Sequence, residues 1–328
     1  MNLKKSLSAK NISIAVVLLA LPFLLSAVNF GYGVLVCCFS SLYIIAVSGL
    51  DVDFGYCGQI SMGHAAFFAI GAYGSVMLHM YFHLPVLLTM IIAALLATVV
   101  GAIIAYPASK LVFHFLSLAT IAFGEIVYSL ILNSPGGITK NAVGLFTDSI
   151  NLFGLKLDSN VKFYYFGLVM AALFLLAKYL MIDSKVGRAW IAIRENPHAA
   201  NGMGINVTKY KVMAFAVSAF YTGFAGAMYA HLVGYIGPDT FTQKQSVMFV
   251  TMMLFGGTGS ILGPILGALL VFIITECLRV FEQYQMLIYG ALLLIVIVAF
   301  PGGVYGEGKK LIAKLTKAKG GKKNAARN

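Results

Sequence analysis

The stretch "GQISMGHAAFFAIGAYG", residues 58–74, decides how the chain is read. It is apolar enough to sit in a membrane, yet its front carries Gln59, Ser61 and His64, and glycine recurs at Gly58, Gly63, Gly71 and Gly74. Gly63, Gly71 and Gly74 are spaced by eight and three residues, which predicts a small-residue packing face on a helix. The polar front follows "DVDFGYCG", residues 51–58, where a helix is not expected to persist at membrane depth. Together these features predict a discontinuous helix whose freed backbone groups line a cavity rather than lipid.

Working outward, 60% of the residues are hydrophobic and 10% charged, against about 45–50% and about 25% in soluble domains. That is the composition of an integral membrane protein, with little left for a soluble domain. Apolar segments of spanning length lie near 12–28, 33–50, 61–81, 86–106, 111–132, 162–182, 212–232, 246–255 continuing into 261–276, and 284–300. In hydrocarbon the backbone must satisfy its own hydrogen bonds, so these segments predict helices. Unbroken apolar runs without polar alternation exclude a β-barrel. The N-terminal apolar run follows Lys4, Lys5 and Lys10 and is long enough to be an uncleaved first helix. Cys37, Cys38, Cys57 and Cys277 lie in or beside apolar runs and show no metal or disulfide spacing.

Most of the Lys and Arg residues fall in three places: the N-terminal leader, the segment 183–211, and the tail beyond 307. All three are therefore expected to be cytoplasmic. Five crossings would place 133–161 outside, and a sixth would return the chain at 183–211. Reading 246–276 as two segments gives ten spans and a cytoplasmic tail; reading it as one broken span gives nine. The expectation is an all-α polytopic bundle of about 8–10 transmembrane helices, with discontinuous helices among them. Residues 1–306 form the membrane domain, and 307–328 a basic tail expected to be disordered and to meet anionic lipid. Eight of the 23 Lys and Arg residues lie in this tail, just past a span and with few aromatics, which points to membrane rather than nucleic acid as the partner of the positive charge.

A second glycine-rich cluster, "LFGGTGSILGPILGALL", holds Gly256, Gly257, Gly259 and Ser260. Paired Gly-interrupted segments in two halves of a membrane protein point to a transport pathway at a repeat interface. Glu125 is a carboxylate within an apolar span; it reads either as contact with a passing polar substrate or gate, or as a buried hydrogen bond to a neighbouring helix. His64 reads more simply as a satisfied packing histidine. The external stretch "NSPGGITKNAVGLF" predicts tight turns, in a hairpin or in a docking surface.

Segment 183–211, "DSKVGRAWIAIRENPHAANGMGINVTKYK", is too long for a simple connection. It predicts a helix around Gly187–Arg194, then a short second helix opened by Asn196 and Pro197. Such a short helix, with small residues and a terminal glycine, can dock against another protein, with Arg188, Arg194 and Glu195 setting the register. The competing reading is an amphipathic interfacial helix anchored by Trp190.

The segment resembles the coupling loop of ABC-importer permeases, an element of Glu-Ala-Ala…Gly type approximated by Glu195, Ala199, Ala200 and Gly204 with extra residues between Glu and Ala. More widely, "GQISMGHAAFFAIGAY", "GRAWIAIRENPHAANGMGIN", "KVMAFAVSAFYTGFAGAMYA", "GPDTFTQKQS" and "LFGGTGSILGPILGA" are similar, in that order, to the branched-chain amino acid ABC transporter permease family, of the second or M type. The resemblance implies one half of a heterodimeric pore in a bacterial-type inner membrane. Two cytoplasmic ATPase subunits would drive it, and an extracytoplasmic binding protein would deliver leucine, isoleucine or valine. Substitution of Gly204 by Trp is then expected to uncouple transport. The chain has no GxxxxGK[ST] loop, so ATP is used by the partners and no cofactor is bound here. A urea or other small-solute permease shares much of the pattern. A stand-alone ion-coupled transporter would have to rely on Glu125 and His64, and a membrane enzyme finds no nucleophile–base set.

Overall fold

The structure, a computed structural model, describes residues 31–109, 113–147, 150–152, 155–277 and 302–307, with isolated positions at 22 and between 283 and 298. Helix α1, Gly31–Asp51, runs straight into a π-wound turn, Val52–Tyr56. The sequence "DVDFGY" thus stays helical by taking the wider winding; the regular structure lapses only at 57–63. Gly58 opens that lapse at φ 75, a left-handed conformation that favours glycine. Three helices follow: α2 (His64–Phe82), α3 (Val86–Ala108) and α4 (Phe113–Asn133).

In the next loop, β1 (Leu145–Phe146) precedes a small hairpin of β2 (Asn151–Leu152) and β3 (Leu155–Lys156). Helices α5 (Asn160–Asp183), α6 (Lys185–Glu195), α7 (Pro197–Gly202) and α8 (Val207–Val233) come next. Strand β4, Tyr235–Ile236, then pairs antiparallel with β1, Leu145 opposite Ile236. The described bundle ends with α9 (Gln243–Gly256) and α10 (Leu262–Cys277).

Among the described residues, six helices are long and apolar enough to cross a membrane: Tyr32–Tyr56, His64–Phe82, Val86–Ala108, Phe115–Asn133, Asn160–Asp183 and Val207–Val233. Each coincides with an expected span, so the chain is a multi-pass helical membrane protein. The expected span at 12–28 and the tail from 308 lie outside the described residues, and that at 284–300 does so apart from isolated positions. The first and last of the six are 72% and 67% buried within the chain, whereas the fourth and fifth are 22% buried. Helices α1 and α8 therefore form the centre, and α4 and α5 present most of their surface outward.

The centre is closed by small residues, as helices in lipid require for close approach. A methyl group added to Gly71 of α2 would overlap the Gly223 carbonyl of α8, and one on Gly226 would overlap that of Phe68. Helices α9 and α10 meet through Gly256 against Gly263 and Gly267 against the Met252 carbonyl. Rising residue numbers on one helix face falling numbers on the other, so the chain reverses through 257–261. Segment 246–276 is thus a folded-back pair rather than one interrupted span. With 14 and 16 residues, the two helices are about 21 and 24 Å long, short of the ~30 Å hydrocarbon core.

Candidate functional site: the 183–211 unit and the glycine segments

Each turn of segment 183–211 is capped by a side chain the sequence supplies at the right place. Ser184 Oγ accepts from Val186 N at 3.1 Å and starts α6 directly after α5. Asn196 Oδ1 accepts from both His198 N and Ala199 N at 3.0 Å, with Pro197 at the first helical position, and starts α7. Asn206 does the same for α8 through Lys209 N. Gly204 closes α7 at φ 82. Any side chain there is strained whatever the space around it, so a Trp at Gly204 would test backbone strain as much as docking.

The unit stands on its own small core. Trp190, Ile193 and Ala200 pack with Val52, Tyr56 and Cys57 of the first break and with Ala214 of α8. Trp190 is wholly enclosed and its Nε1 donates to the Tyr210 carbonyl at 2.9 Å. An indole held in this way does not anchor a helix in the lipid interface, and the interfacial reading fails on that contact. Gly187 is buried against the Ile182 carbonyl and Ala200 within the core, whereas Arg188, Arg194, Glu195, Asn196, Ala199 and Gly204 are exposed. The outer surface of α7, from Pro197 to Met203 but for Ala200, forms an exposed knob beside a cavity of about 480 Å³ that Asn201 and Thr208 help to line.

The π-turn ahead of the first glycine segment meets the second glycine segment beneath this unit. Asp51 Oδ1 accepts from Gly259 N at 2.7 Å, and Asp51 Oδ2 lies 2.7 Å from Lys178 Nζ. Lys178 also donates to the Ser260 carbonyl at 3.3 Å and sits over the Tyr56 ring, 5.6 Å from its centroid. From α6, Arg194 Nη1 donates to the Gly55 carbonyl in the π-turn. Gly259, at φ 69, lets the second segment come this close. Ser260 Oγ accepts from Gly263 N at 2.9 Å and caps α10, while Gly256 and Gly257 pack against Gly263 and Gly302.

The lapse at 57–63 is stitched rather than open. Gln59 Nε2 donates to Asp53 Oδ1 at 2.6 Å and to the Lys211 carbonyl at 3.0 Å. Met62 N donates to Thr120 Oγ1, Gln243 Nε2 to the Met62 carbonyl, and Ala65 N to Ser246 Oγ. At Met62 and Ala65 the freed backbone groups are met by side chains of neighbouring helices. His64 bonds Ser61 Oγ at 3.1 Å through Nδ1 and Ser218 Oγ at 2.7 Å through Nε2. Gly63 packs on the Thr120 carbonyl. Asp53 Oδ2 is buried without a hydrogen-bond partner among the described residues. Ser218 lies 11 residues beyond Val207, the first residue of α8, so the lapse sits about 16 Å along that helix.

Glu125 is placed otherwise. It lies on the exposed face of α4 and has no partner among the described residues, so the buried hydrogen bond is not what the chain provides. Ser129 and Asn133 follow it at helical spacing on the same exposed side, with Asn133 Nδ2 donating to Ser129. The opposite side of α4, at Thr120 and Gly124, touches Met62, Gly63 and Gln243.

Sequence reasoning passed over Asp51, Asp53 and Lys178, all fully buried. Lys178 stands five residues before the end of its span, where a lysine normally reads as reaching out to the headgroups. The available signal was a carboxylate, Asp51, at the matching end of another span.

Comparison with known proteins now bears on this arrangement. A family profile described as branched-chain amino acid transport system / permease component matches residues 32–297. The chain is 32% identical over 317 residues to the high-affinity branched-chain amino acid transport system permease protein LivM of Escherichia coli, covering 89% of this chain and 73% of that one. It is 26% identical to the ribose import permease protein RbsC of Haemophilus influenzae over 78% of each. To LivH of Escherichia coli, a permease protein of the same transport system as LivM, it is 29% identical over 43% of this chain and 44% of that one. No solved structure matches. With the profile spanning the whole described bundle, this chain belongs to the branched-chain amino acid transport permease family.

Proposed function

We propose that this chain is one permease half of an ATP-driven, binding-protein-dependent importer of leucine, isoleucine and valine in a bacterial-type inner membrane. The observation that carries the reading is the α6–α7 unit: a capped knob, exposed on one side and packed on the other against the core that holds the first break. A loop that only joined two spans needs neither its own core nor its three side-chain caps. Its basic residues put it, with both termini, on the cytoplasmic side. There α7 fits a cleft on an ATPase, with Arg188, Arg194 and Glu195 at its base. Two ATPase subunits use the ATP, a second homologous permease completes the pore, and an extracytoplasmic binding protein supplies the substrate. The chain itself holds no cofactor.

The pathway runs along the outward face of α4. An ionisable side chain facing hydrocarbon near the middle of a span is costly and belongs at a protein or water boundary. Glu125, with Ser129 and Asn133 continuing the polar line outward, therefore faces the second permease across the pathway, where a carboxylate attracts the ammonium group of a zwitterionic amino acid. The glycine segment behind α4, at Met62 and Gly63, acts as its hinge, because small residues allow two packings of comparable energy.

Purification of the tagged chain from its native cell, in mild detergent, tests this. A second permease and ATPase subunits in the eluate, with ATP-dependent uptake of labelled leucine after reconstitution, are the expected result. A homo-oligomer without ATPase would sink it, and uptake of labelled urea in place of leucine would replace the substrate.

A further inference from the structure

The buried pair Asp51–Lys178 is unused by the reading above and is the least expected feature of the bundle. Both side chains have no exposed surface. Buried ion pairs are weak stabilisers, since an apolar pair of similar volume often serves as well. Its geometry, however, is specific. Lys178 belongs to α5 and Arg194 to α6, and these helices are joined by Ser184 alone, at a corner closed by the packing of Gly187 on the Ile182 carbonyl. Across that corner, Lys178 holds Asp51 and the Ser260 carbonyl while Arg194 holds the Gly55 carbonyl. Asp51 in turn holds Gly259 N. Two cations on one elbow thus grip the π-turn that leads into the first glycine segment and the reversal of the second.

We propose that Lys178, with Asp51, is a positioning element that makes the elbow α5–α6, the π-turn ahead of the first glycine segment and the reversal of the second move as one body, so that a displacement of α7 reaches the pathway. This rests on the ATP-driven reading. Packed apolar groups can exchange one apolar neighbour for another, whereas a fully enclosed pair with both partners at 2.7 Å moves intact or leaves buried charges unmet. The carboxylate is the hub, because its two oxygens face different elements: Oδ2 the elbow and Oδ1 the reversal.

The complete transporter, reconstituted in proteoliposomes, provides the test. Lys178→Met alone leaves Asp51 buried without its counter-charge and is expected to lower the yield of folded complex. The double substitution Asp51→Asn with Lys178→Met removes both charges and is the informative variant. It is expected to assemble with the ATPases and to hydrolyse ATP within twofold of the unsubstituted complex, while labelled leucine carried per ATP falls at least tenfold. Unchanged leucine carried per ATP would show a purely structural pair and overturn the proposal.

Hydrogen exchange on the unsubstituted complex decides the matter even if the double variant fails to assemble. On trapping the ATPases with ATP and vanadate, residues 51–60 and 256–262 are expected to change protection together with 185–195. A change confined to 185–195 would overturn the proposal while leaving ATP-driven transport standing. Absence of any ATPase from the unsubstituted complex would overturn the ATP-driven reading itself, and the proposal with it.

Discussion

Trp190 shows how much one side chain can organise. It is the only tryptophan of the chain, fully enclosed, and bonded to a carbonyl of α8. Trp190→Ala is expected to cost about 3–5 kcal/mol, by lost burial and by the cavity left behind. Trp190→Phe fills most of that space and forfeits one hydrogen bond, about 1 kcal/mol, so it should cost less. Thermal unfolding of the purified protein, followed by far-UV circular dichroism, checks both values and their order. Glu125 makes a functional contrast. Glu125→Gln keeps the shape and removes the charge; the KM for leucine uptake is expected to rise about tenfold, roughly 1.4 kcal/mol of lost attraction, with little change in yield. Uptake curves that superimpose on those of the unsubstituted transporter would remove Glu125 from the pathway. At this scale the sequence was uneven. Glu125 drew notice because it stands alone as a carboxylate in an apolar span, its role being the proposal above, whereas Lys178 resembled an ordinary headgroup-reaching lysine.

Helix α2 shows what a packing face means. Gly71 and Gly74 are three residues apart, yet their surroundings differ: a methyl at Gly71 would overlap the Gly223 carbonyl, whereas one at Gly74 would stand 3.3 Å from the Ala93 Cβ. Gly71→Ala is therefore expected to destabilise by about 2–3 kcal/mol through enforced separation of α2 and α8. Gly74→Ala asks Ala93 to yield by only a few tenths of an ångström and should cost less, about 1 kcal/mol or under. Thermal midpoints and monodisperse yield of the two variants provide the comparison; equal losses would contradict the crossing described. The six long helices were legible because about twenty apolar residues in hydrocarbon leave the backbone no other regular solution. The fold-back of α9 on α10 matches the reading of 246–276 as two segments, whereas the π-turn, which hides in an uninterrupted helix, was illegible. Glycines that let a helix bend and glycines that let two helices touch spell the same string.

Across the whole molecule, the Ser184 and Asn206 caps emerged only in the structure, but the composition already declared a membrane bundle, and the length of 183–211 with its Asn196-Pro197 helix start declared the unit there. Hidden from sequence was their meeting point, because it joins residues far apart in the chain: Arg194 with Gly55 across 139 positions, and Gly259 with Asp51 across 208. A bulky probe of the outer knob belongs at Gly202, which has open space around it and no left-handed φ. Gly202→Trp is expected to leave pairing with the second permease intact while abolishing co-purification of the ATPases and ATP-dependent leucine uptake. ATPases retained at normal yield would move the docking surface elsewhere. The enclosed ion pair also has a bearing on biogenesis. Asp51 precedes Lys178 by 127 residues, so the carboxylate has left the ribosome well before the ammonium. A lone ammonium in hydrocarbon is unfavourable, and the helix carrying Lys178 gains its full stability only once it docks beside the earlier one. Order of synthesis thereby becomes order of assembly, with the first described helix serving as the template on which the fifth is received.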